Sequence, residues 1–599
     1  MGVTDQDMQT SERGLELTQP GRRAHLLAFI LAALWLSWLC VTSRDVGIPR
    51  DESIYFYAAD RFAEWWSRLL EQGWGAFSPA EIKRGFAFNH EHPMLMKSLF
   101  GLSHEWLYRR WGIISDPILA YRLPTMVMSS ALIYCTTLLA VALRGLWAGA
   151  VAGLLLMGMP RLFFHAHLSC FDAPVTLMWL AITLAYLGAL TRRRWVIGAG
   201  VILGLGLATK LNTFFAPFTL LLISVFHIVH VARAERPALS VRIWFKRYAW
   251  IAASLTFLGL GVFWAHWPWL YHDTLSRMGA YIGFHARHVH YPVDYLGHLY
   301  YGPPFPIHFP LVFTAFTLPV ATLCLFMCGA TWTLRAAWRR WIDRADGFCI
   351  ELFLLMNALI PVLIIAWPTT PIFGGTKHWM PAMPYFAVLG GIGFVWLCEG
   401  IWALRLPTWR LMLASALLAP GLWLTHEYGA HGPAWYNSVA GGIPGAAELR
   451  MPRNFWGYSS VEMIDWLNRS PRERRSVFWH NATGIAVHHY RAAGWLDRRI
   501  SSTGDWTYPY AEWSLYHDQR EKLPEEIDLW WAHGSSLPVE GFFIDGVQQI
   551  GVYASPQARE RLIRDGASSS ASSPPTPIYG QLGLTTQNPA HTNSLSHSR

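Results

Sequence analysis

With 53% hydrophobic and only 15% charged side chains over 599 residues, and a mean hydropathy of +0.22, this chain is too apolar for a soluble globular protein, where about 25% of residues are charged. Its formal charge of +9 is divided among short segments between apolar runs, which excludes the concentrated basic face of a nucleic-acid binder. The seven cysteines fall in or beside those runs, so neither a disulfide framework nor a thiolate metal site is indicated.

The first 21 residues are polar and are predicted to be disordered. Apolar runs near the roughly 20 residues needed to cross a bilayer then recur at 24–43, 121–143, 146–166, 172–190, 195–209, 211–232, 248–267, 308–333, 349–367, 381–402 and 411–425. The predicted architecture is mainly α: a polytopic bundle of about eleven membrane helices spanning 22–425. The bases sit at Arg22-Arg23, Arg144, Arg192 to Arg194, 233–247, Arg335 to Arg344, and Arg405 with Arg410. Counting spans puts all of them on one side, so the excess of Lys and Arg in cytoplasmic loops places the N-terminus in the cytoplasm. The first span lacks a small-residue cleavage site and reads as a retained helix.

Residues 44–118 form a long external loop, in which Phe62, Trp65, Trp66, Leu69 and Leu70 have the spacing of an amphipathic interface helix. A second external loop, 268–307, is dense in Tyr, His and Pro, and a third, 368–380, is short. Residues 426–565 read as a small extracytoplasmic α/β domain: strands at Ser476 to Trp479 and Ile527 to Trp531, a helix from Gly484 to Trp495, and a hairpin about Asp545-Gly546. The tail, 566–599, is rich in Ser, Pro, Thr and Asn and is predicted to be disordered.

Ionisable residues collect at the outer boundary of these spans. Asp51-Glu52 follows the first span and precedes Tyr55. Asn89-His90-Glu91-His92-Pro93 leads to Lys97, Arg122-Leu123-Pro124 opens the second span, and Asp172-Ala173-Pro174 opens the fourth. Thr209-Lys210 closes the fifth, and Lys377-His378 precedes the tenth. A carboxylate at such a boundary can take a proton from a hydroxyl, and cations can offset charge on a departing phosphate. His90, Glu91 and His92 have the composition of a metal cluster, but not the helical His-x-x-x-His spacing. No cofactor is implied and no metal site is assigned.

In their order, Asp51-Glu52, His92-Pro93 with Lys97, Arg122-Leu123-Pro124, Asp172-x-Pro174 and Gly206 to Lys210 resemble the C-type glycosyltransferase superfamily, nearest to the protein O-mannosyltransferase and aminoarabinose lipid A transferase families. The resemblance covers roughly 25–400. Met94 stands where the family often has a second proline, and Lys377-His378 where it often has Arg-Tyr. It implies a polyprenyl-phosphate-sugar donor, inversion at the anomeric carbon and a catalytic carboxylate in the first external loop. By position, Asp51 matches the base and Glu52 its acidic neighbour. Lys97, Lys210 and Lys377, with Arg122 and His378, are candidates for holding the donor phosphate; His90, His92, Asp172 and Tyr55 are further site candidates. The expected partners are the donor lipid, the membrane and an acceptor that is protein, lipid or envelope glycan, with no nucleic acid. The expected location is a bacterial inner membrane, with the C-terminal domain outside. A transporter or flippase of lipid-linked sugars is the alternative, although transporters usually carry internal repeats, and none is visible here.

Overall fold

The computed structural model describes residues 18–233, 237–344, 348–470, 473, 475–504 and 507–564. The predicted disorder of 1–17 and of the tail, and Arg236 in the basic loop, lie outside them. Seven helices among the described residues are long and apolar enough to cross a membrane, and Arg194–Thr209 and Ile350–Ile365 are shorter apolar helices. The protein is an integral, multi-pass membrane protein.

Several spans differ from their predicted limits for identifiable reasons. The helical stretch Pro117–Met157 is two helices, as the spans 121–143 and 146–166 predict: it breaks at Arg144 and Gly145, where Gly145 has φ +81°, and folds back so closely that a Cβ on Gly153 would lie 2.6 Å from Thr137 Oγ1. It begins sharply because Asp116 accepts hydrogen bonds from the Ile118 and Leu119 amides while Pro117 fills the first turn. The predicted span 146–166 is interrupted after Met157 and resumes as Pro160–His167. Pro319 splits 308–333 into Phe309–Thr317 and Val320–Ile342, since proline supplies no amide to continue the ladder.

Met380–Gly400 is almost wholly buried at the centre of the bundle, whereas Arg22–Val41 buries only the stripe Ala24, Ala28, Leu31, Trp35 and Leu39. The central helix packs close because glycines meet backbone. A Cβ on Gly329 would lie 1.8 Å from the Leu389 carbonyl oxygen, and one on Gly393 would lie 2.3 Å from that of Leu325. Small residues at a helix crossing supply the close van der Waals contact that drives association in lipid.

The C-terminal region carries a five-stranded sheet. In chain order the strands are β1 (Val293–Tyr295) and β2 (His298–Tyr300), which form a separate hairpin, then β3 (Ser476–Trp479), β4 (Ser501–Ser502), β5 (Trp513–His517), β6 (Glu540–Ile544) and β7 (Val547–Ala554). The sheet order is β4-β3-β5-β7-β6, with β3 parallel to both β4 and β5 and the other pairs antiparallel. Asp545 and Gly546 both have positive φ at the β6–β7 turn, the geometry that an Asp-Gly hairpin loop requires. The strand expected at Ile527 to Trp531 is instead helix, Leu523–His533. Pro524 and Glu525-Glu526 start it and Gly534, left-handed, stops it, and these end signals outweigh a short apolar run.

This region shares a core with the chain between the first two spans and the start of the second: Val46, Ile48, Phe56, Phe100 and Tyr121 cluster with Tyr458, Tyr490, Leu515 and Val552. The Ile48 amide donates to the Tyr490 hydroxyl (2.6 Å), and the Arg50 amide to the Trp456 carbonyl oxygen (2.9 Å). A Cβ on Gly47 would lie 1.9 Å from the Tyr458 carbonyl oxygen, so only glycine fits there. The C-terminal region therefore locates the chain immediately before Asp51.

Candidate active site

Pro49 and Arg50 begin the amphipathic helix Arg50–Gln72, with Asp51 and Glu52 in its first turn, where carboxylates favour the positive end of the helix dipole. Adjacent on the helix, the two acids point to different surroundings. Glu52 is fully buried; its oxygens accept from Arg122 Nε (2.9 Å), Arg122 Nη2 (2.7 Å) and the Ser169 amide (2.7 Å). Arg122, also fully buried, spends its remaining donors on the carbonyl oxygens of Ser43 (2.7 Å), Val46 (2.8 Å) and Gly47 (3.0 Å). This pair ties four segments together and lines neither cavity described below.

Asp51 is half-buried and faces open space. It lines a cavity of about 630 Å³ whose walls include Leu207, Phe214, Phe215, Leu260, Phe263 and Ile364. Asp172, Lys210, Lys377 and His378 line the same cavity, as do Tyr55 and His92. The Lys210 ammonium donates to Asp172 Oδ1 (2.6 Å), and His165 Nδ1 lies 3.2 Å from Asp172 Oδ2. The Lys377 ammonium has no carboxylate partner within ion-pair distance among the described residues and sits among three rings, 4.1 Å from Trp456, 4.6 Å from Phe455 and 4.7 Å from Phe373. Such a cage holds a cation by its ring quadrupoles and leaves the ammonium hydrogens for a ligand.

Burial lowers the Lys377 ammonium to about 8, against the pull of Asp51 and Asp172. Burial likewise raises the Asp51 carboxyl above the ordinary carboxylate range, Lys377 opposing the rise and Asp172 adding to it. His378 donates Nε2–H to the Phe373 carbonyl oxygen (2.7 Å), and burial beside Lys377 pushes it down to about 3, so it stays neutral.

A second cavity of about 400 Å³ shares Asp51, Tyr55, His92, His288, Phe373 and Trp456 with the first. It is the more polar of the two: beside apolar walls such as Phe309, Phe313 and Phe455, its lining includes Arg50, Glu91, Asn454, Asn481, Gln519 and Glu521. The two spaces therefore meet at Asp51. The Tyr55 ring packs 4.4 Å from Phe171 and 5.6 Å from His92, fixing the wall beside it.

Of the residues singled out in the sequence, seven converge on the apolar cavity: Asp51, Tyr55, His92, Asp172, Lys210, Lys377 and His378. Four do not. Besides Glu52 and Arg122, Lys97 is fully buried and its ammonium donates to the Asn89 carbonyl (2.5 Å), Asn89 Oδ1 (3.1 Å) and the His92 carbonyl (2.9 Å). These bonds spend its three hydrogens on the loop that carries His92. His90 is exposed, bonded to the Ala87 carbonyl oxygen and 5.1 Å from the Trp269 ring. Trp456, Phe455, His165 and Gln519 were missed, because no local spacing marks a side chain that arrives from hundreds of residues away. Among the described residues no group of three His, Cys, Asp or Glu could hold a metal ion.

Residues 103–269 match the family model described as dolichyl-phosphate-mannose-protein mannosyltransferase. A comparison with curated protein sequences gives no match. Among solved structures, ArnT from Cupriavidus metallidurans bound to undecaprenyl phosphate is similar at 12% identity and a TM-score of 0.44, covering 87% of this chain and 97% of that one. The oligosaccharyltransferase AglB from Archaeoglobus fulgidus, in complex with an inhibitory peptide and a dolichol-phosphate, is similar at 12% identity and a TM-score of 0.45, covering 86% of this chain and 71% of that one. With a mannosyltransferase model matching 103–269, the chain resembles the C-type membrane glycosyltransferases.

Proposed function

We propose that this protein is an inverting glycosyltransferase that moves a sugar from a polyprenyl-phosphate donor to an acceptor hydroxyl on the outer face of the membrane. The observation that carries this reading is the meeting of an apolar cavity bearing two lysines with a polar cavity, Asp51 lying on the wall common to both. The apolar walls suit a polyprenyl chain, and a site for that donor needs cations where the chain ends. Lys377 and Lys210 supply them, and the description of the family model matching 103–269 supports a lipid-phosphate donor.

In this cycle the acceptor hydroxyl enters through the polar cavity and gives its proton to Asp51. Its oxygen forms a bond to the anomeric carbon from the face opposite the phosphate. The carbon–oxygen bond to the phosphate breaks, and its electron pair leaves with the polyprenyl phosphate. Lys377 and Lys210 offset the charge that grows on this leaving group, a role effective in a cavity from which water is excluded. A caged ammonium that has no carboxylate partner is suited to it, because it needs no rearrangement to receive the phosphate. The excess of bases in loops on one side of the predicted spans supports the opposite, extracytoplasmic face for this chemistry.

The test is transfer by purified protein in lipid, with a panel of radiolabelled polyprenyl-phosphate sugars and a crude envelope acceptor. Wild type should consume one donor, and Asp51→Asn should bind that donor but transfer about a hundredfold or more slowly, the scale of a lost general base. Full activity in folded Asp51→Asn would overturn the mechanism. A wild type that consumes no donor yet moves lipid-linked sugar across vesicles would replace the transferase with a transporter.

A further inference from the structure

The polar cavity holds a cation that the cycle above does not use. Arg161, in Pro160–His167, is 4% exposed and lines this cavity but not the apolar one. Its guanidinium lies 4.8 Å from the Phe313 ring and 5.1 Å from the Tyr436 ring. One Nη2–H donates to the Trp435 carbonyl oxygen (3.1 Å), and the Tyr436 hydroxyl, which itself donates to the Pro452 carbonyl oxygen, stands beside it. Its buried Nε–H has no acceptor, and among the described residues it forms no ion pair with a carboxylate.

Apart from Lys377, which the cycle above uses and which three rings surround, the other buried or half-buried cations near the site are compensated. Arg122 has Glu52, Lys210 has Asp172, and Lys97 has three oxygens. A guanidinium cannot relieve its burial by losing a proton, since it stays charged in proteins. An uncompensated buried charge is unfavourable, and the planar fork of arginine matches a phosphate or carboxylate in two parallel hydrogen bonds. The cavity's other charges do not already supply that partner. Lys522 is held by Glu525 (2.8 Å) and Glu91 accepts from Asn89 (2.7 Å), while Asp51, Glu521 and Arg50 complete its charged lining.

We propose that Arg161 forms an oxyanion subsite in the polar cavity, so that the acceptor carries a phosphate monoester or a carboxylate close to the hydroxyl that is glycosylated. This rests on the reading of that cavity as the acceptor's. The alternative role for Arg161 is a packing clamp between Phe313, Trp435 and Tyr436, and the two roles differ in what removing the charge does to the empty protein.

The experiment uses full-length protein in nanodiscs, preloaded with undecaprenyl phosphate so that the lysine cavity is filled. Thermal protection by glycerol 1-phosphate and by glucuronate is titrated for wild type, Arg161→Lys and Arg161→Met. At least one probe should protect wild type, and which one does identifies phosphate or carboxylate. Binding should weaken about tenfold or more in Arg161→Met and by less in Arg161→Lys. Without a probe, Arg161→Met should unfold at the same temperature as wild type or higher, because methionine keeps the apolar contacts and removal of an uncompensated buried charge offsets the donor that the Trp435 carbonyl oxygen loses. Failure of both anions to protect wild type, or equal binding by Arg161→Met, overturns the subsite. So does an empty Arg161→Met that is less stable than both wild type and Arg161→Lys, which is the signature of a clamp. Arg161-dependent protection in a protein that transfers no sugar would keep the anion site and remove the transferase reading. Transfer to neutral and anionic acceptors at equal rates, unchanged by Arg161→Met, would keep the transferase and remove the subsite.

Discussion

Replacing Glu52 by glutamine should cost the protein its stability before it costs any chemistry. The substitution keeps the side chain's shape and removes its negative charge, leaving the Arg122 guanidinium buried beside a neutral amide. Both groups are fully excluded from solvent, and Glu52 accepts three hydrogen bonds, two of them from Arg122. Breaking a buried pair by neutralising one partner typically costs about 3–5 kcal/mol. The double variant Glu52→Leu/Arg122→Met removes both charges and should lose less than the sum of the single changes. It should not recover wild-type stability, because the Ser43, Val46 and Gly47 carbonyls lose their donor, and an orphaned buried acceptor costs about 1–3 kcal/mol. The assay is unfolding of purified protein in micelles, read as a double-mutant cycle, with transfer measured per folded molecule. If Glu52→Gln unfolds like wild type but transfers nothing, Glu52 belongs to the chemistry and the structural account of the pair is wrong.

The raised Asp51 carboxyl should set the acid limb of the pH–rate profile above the ordinary aspartate value of about 3.9; a limb at or below that value would refute its burial as the tuning force. With the folded pKa above the unfolded one, ionised Asp51 costs stability above the folded value. Asp51→Asn should therefore be more stable than wild type at neutral pH, with the gap closing as pH falls toward the unfolded value. Lys377→Met should weaken donor binding about tenfold or more, the scale of a charged hydrogen bond. Wild-type affinity should also fall as pH rises through about 8, where the ammonium loses its proton, and titration calorimetry should find that dependence gone in the variant. Gly329→Ala places a methyl 1.8 Å from the Leu389 carbonyl oxygen and should destabilise the bundle by about 1–3 kcal/mol, which thermal unfolding measures; an unchanged transition would mean that the two helices part without cost.

The spans were legible because a bilayer demands long apolar helices, and their periodicity is written locally. The amphipathic helix Arg50–Gln72 and the Asp545-Gly546 hairpin were legible for the same reason, since side-chain stripe and turn chemistry are properties of neighbouring residues. Ile527 to Trp531 misled because a five-residue apolar run carries no period of its own, and the helix was decided by its ends.

Which charged residues meet was only partly local. The sequence by itself determined that Asp51, Asp172, Lys210 and Lys377 lie at the mouths of spans on one side, because the order of spans and basic loops assigns each to a face. The family resemblance pointed to Asp51 as the base, but no local pattern separates Asp51 from Glu52, or Lys377 from Lys97. Successive residues on a helix are rotated by about 100°, and only packing decides which one meets a cavity and which meets Arg122. Tertiary structure alone supplied the polar cavity, since its walls are contributed by segments from Arg50 to Lys522. It alone also revealed Arg161 as a buried charge without a counter-ion, because the lack of a partner is a property of the whole surroundings and of no stretch of chain.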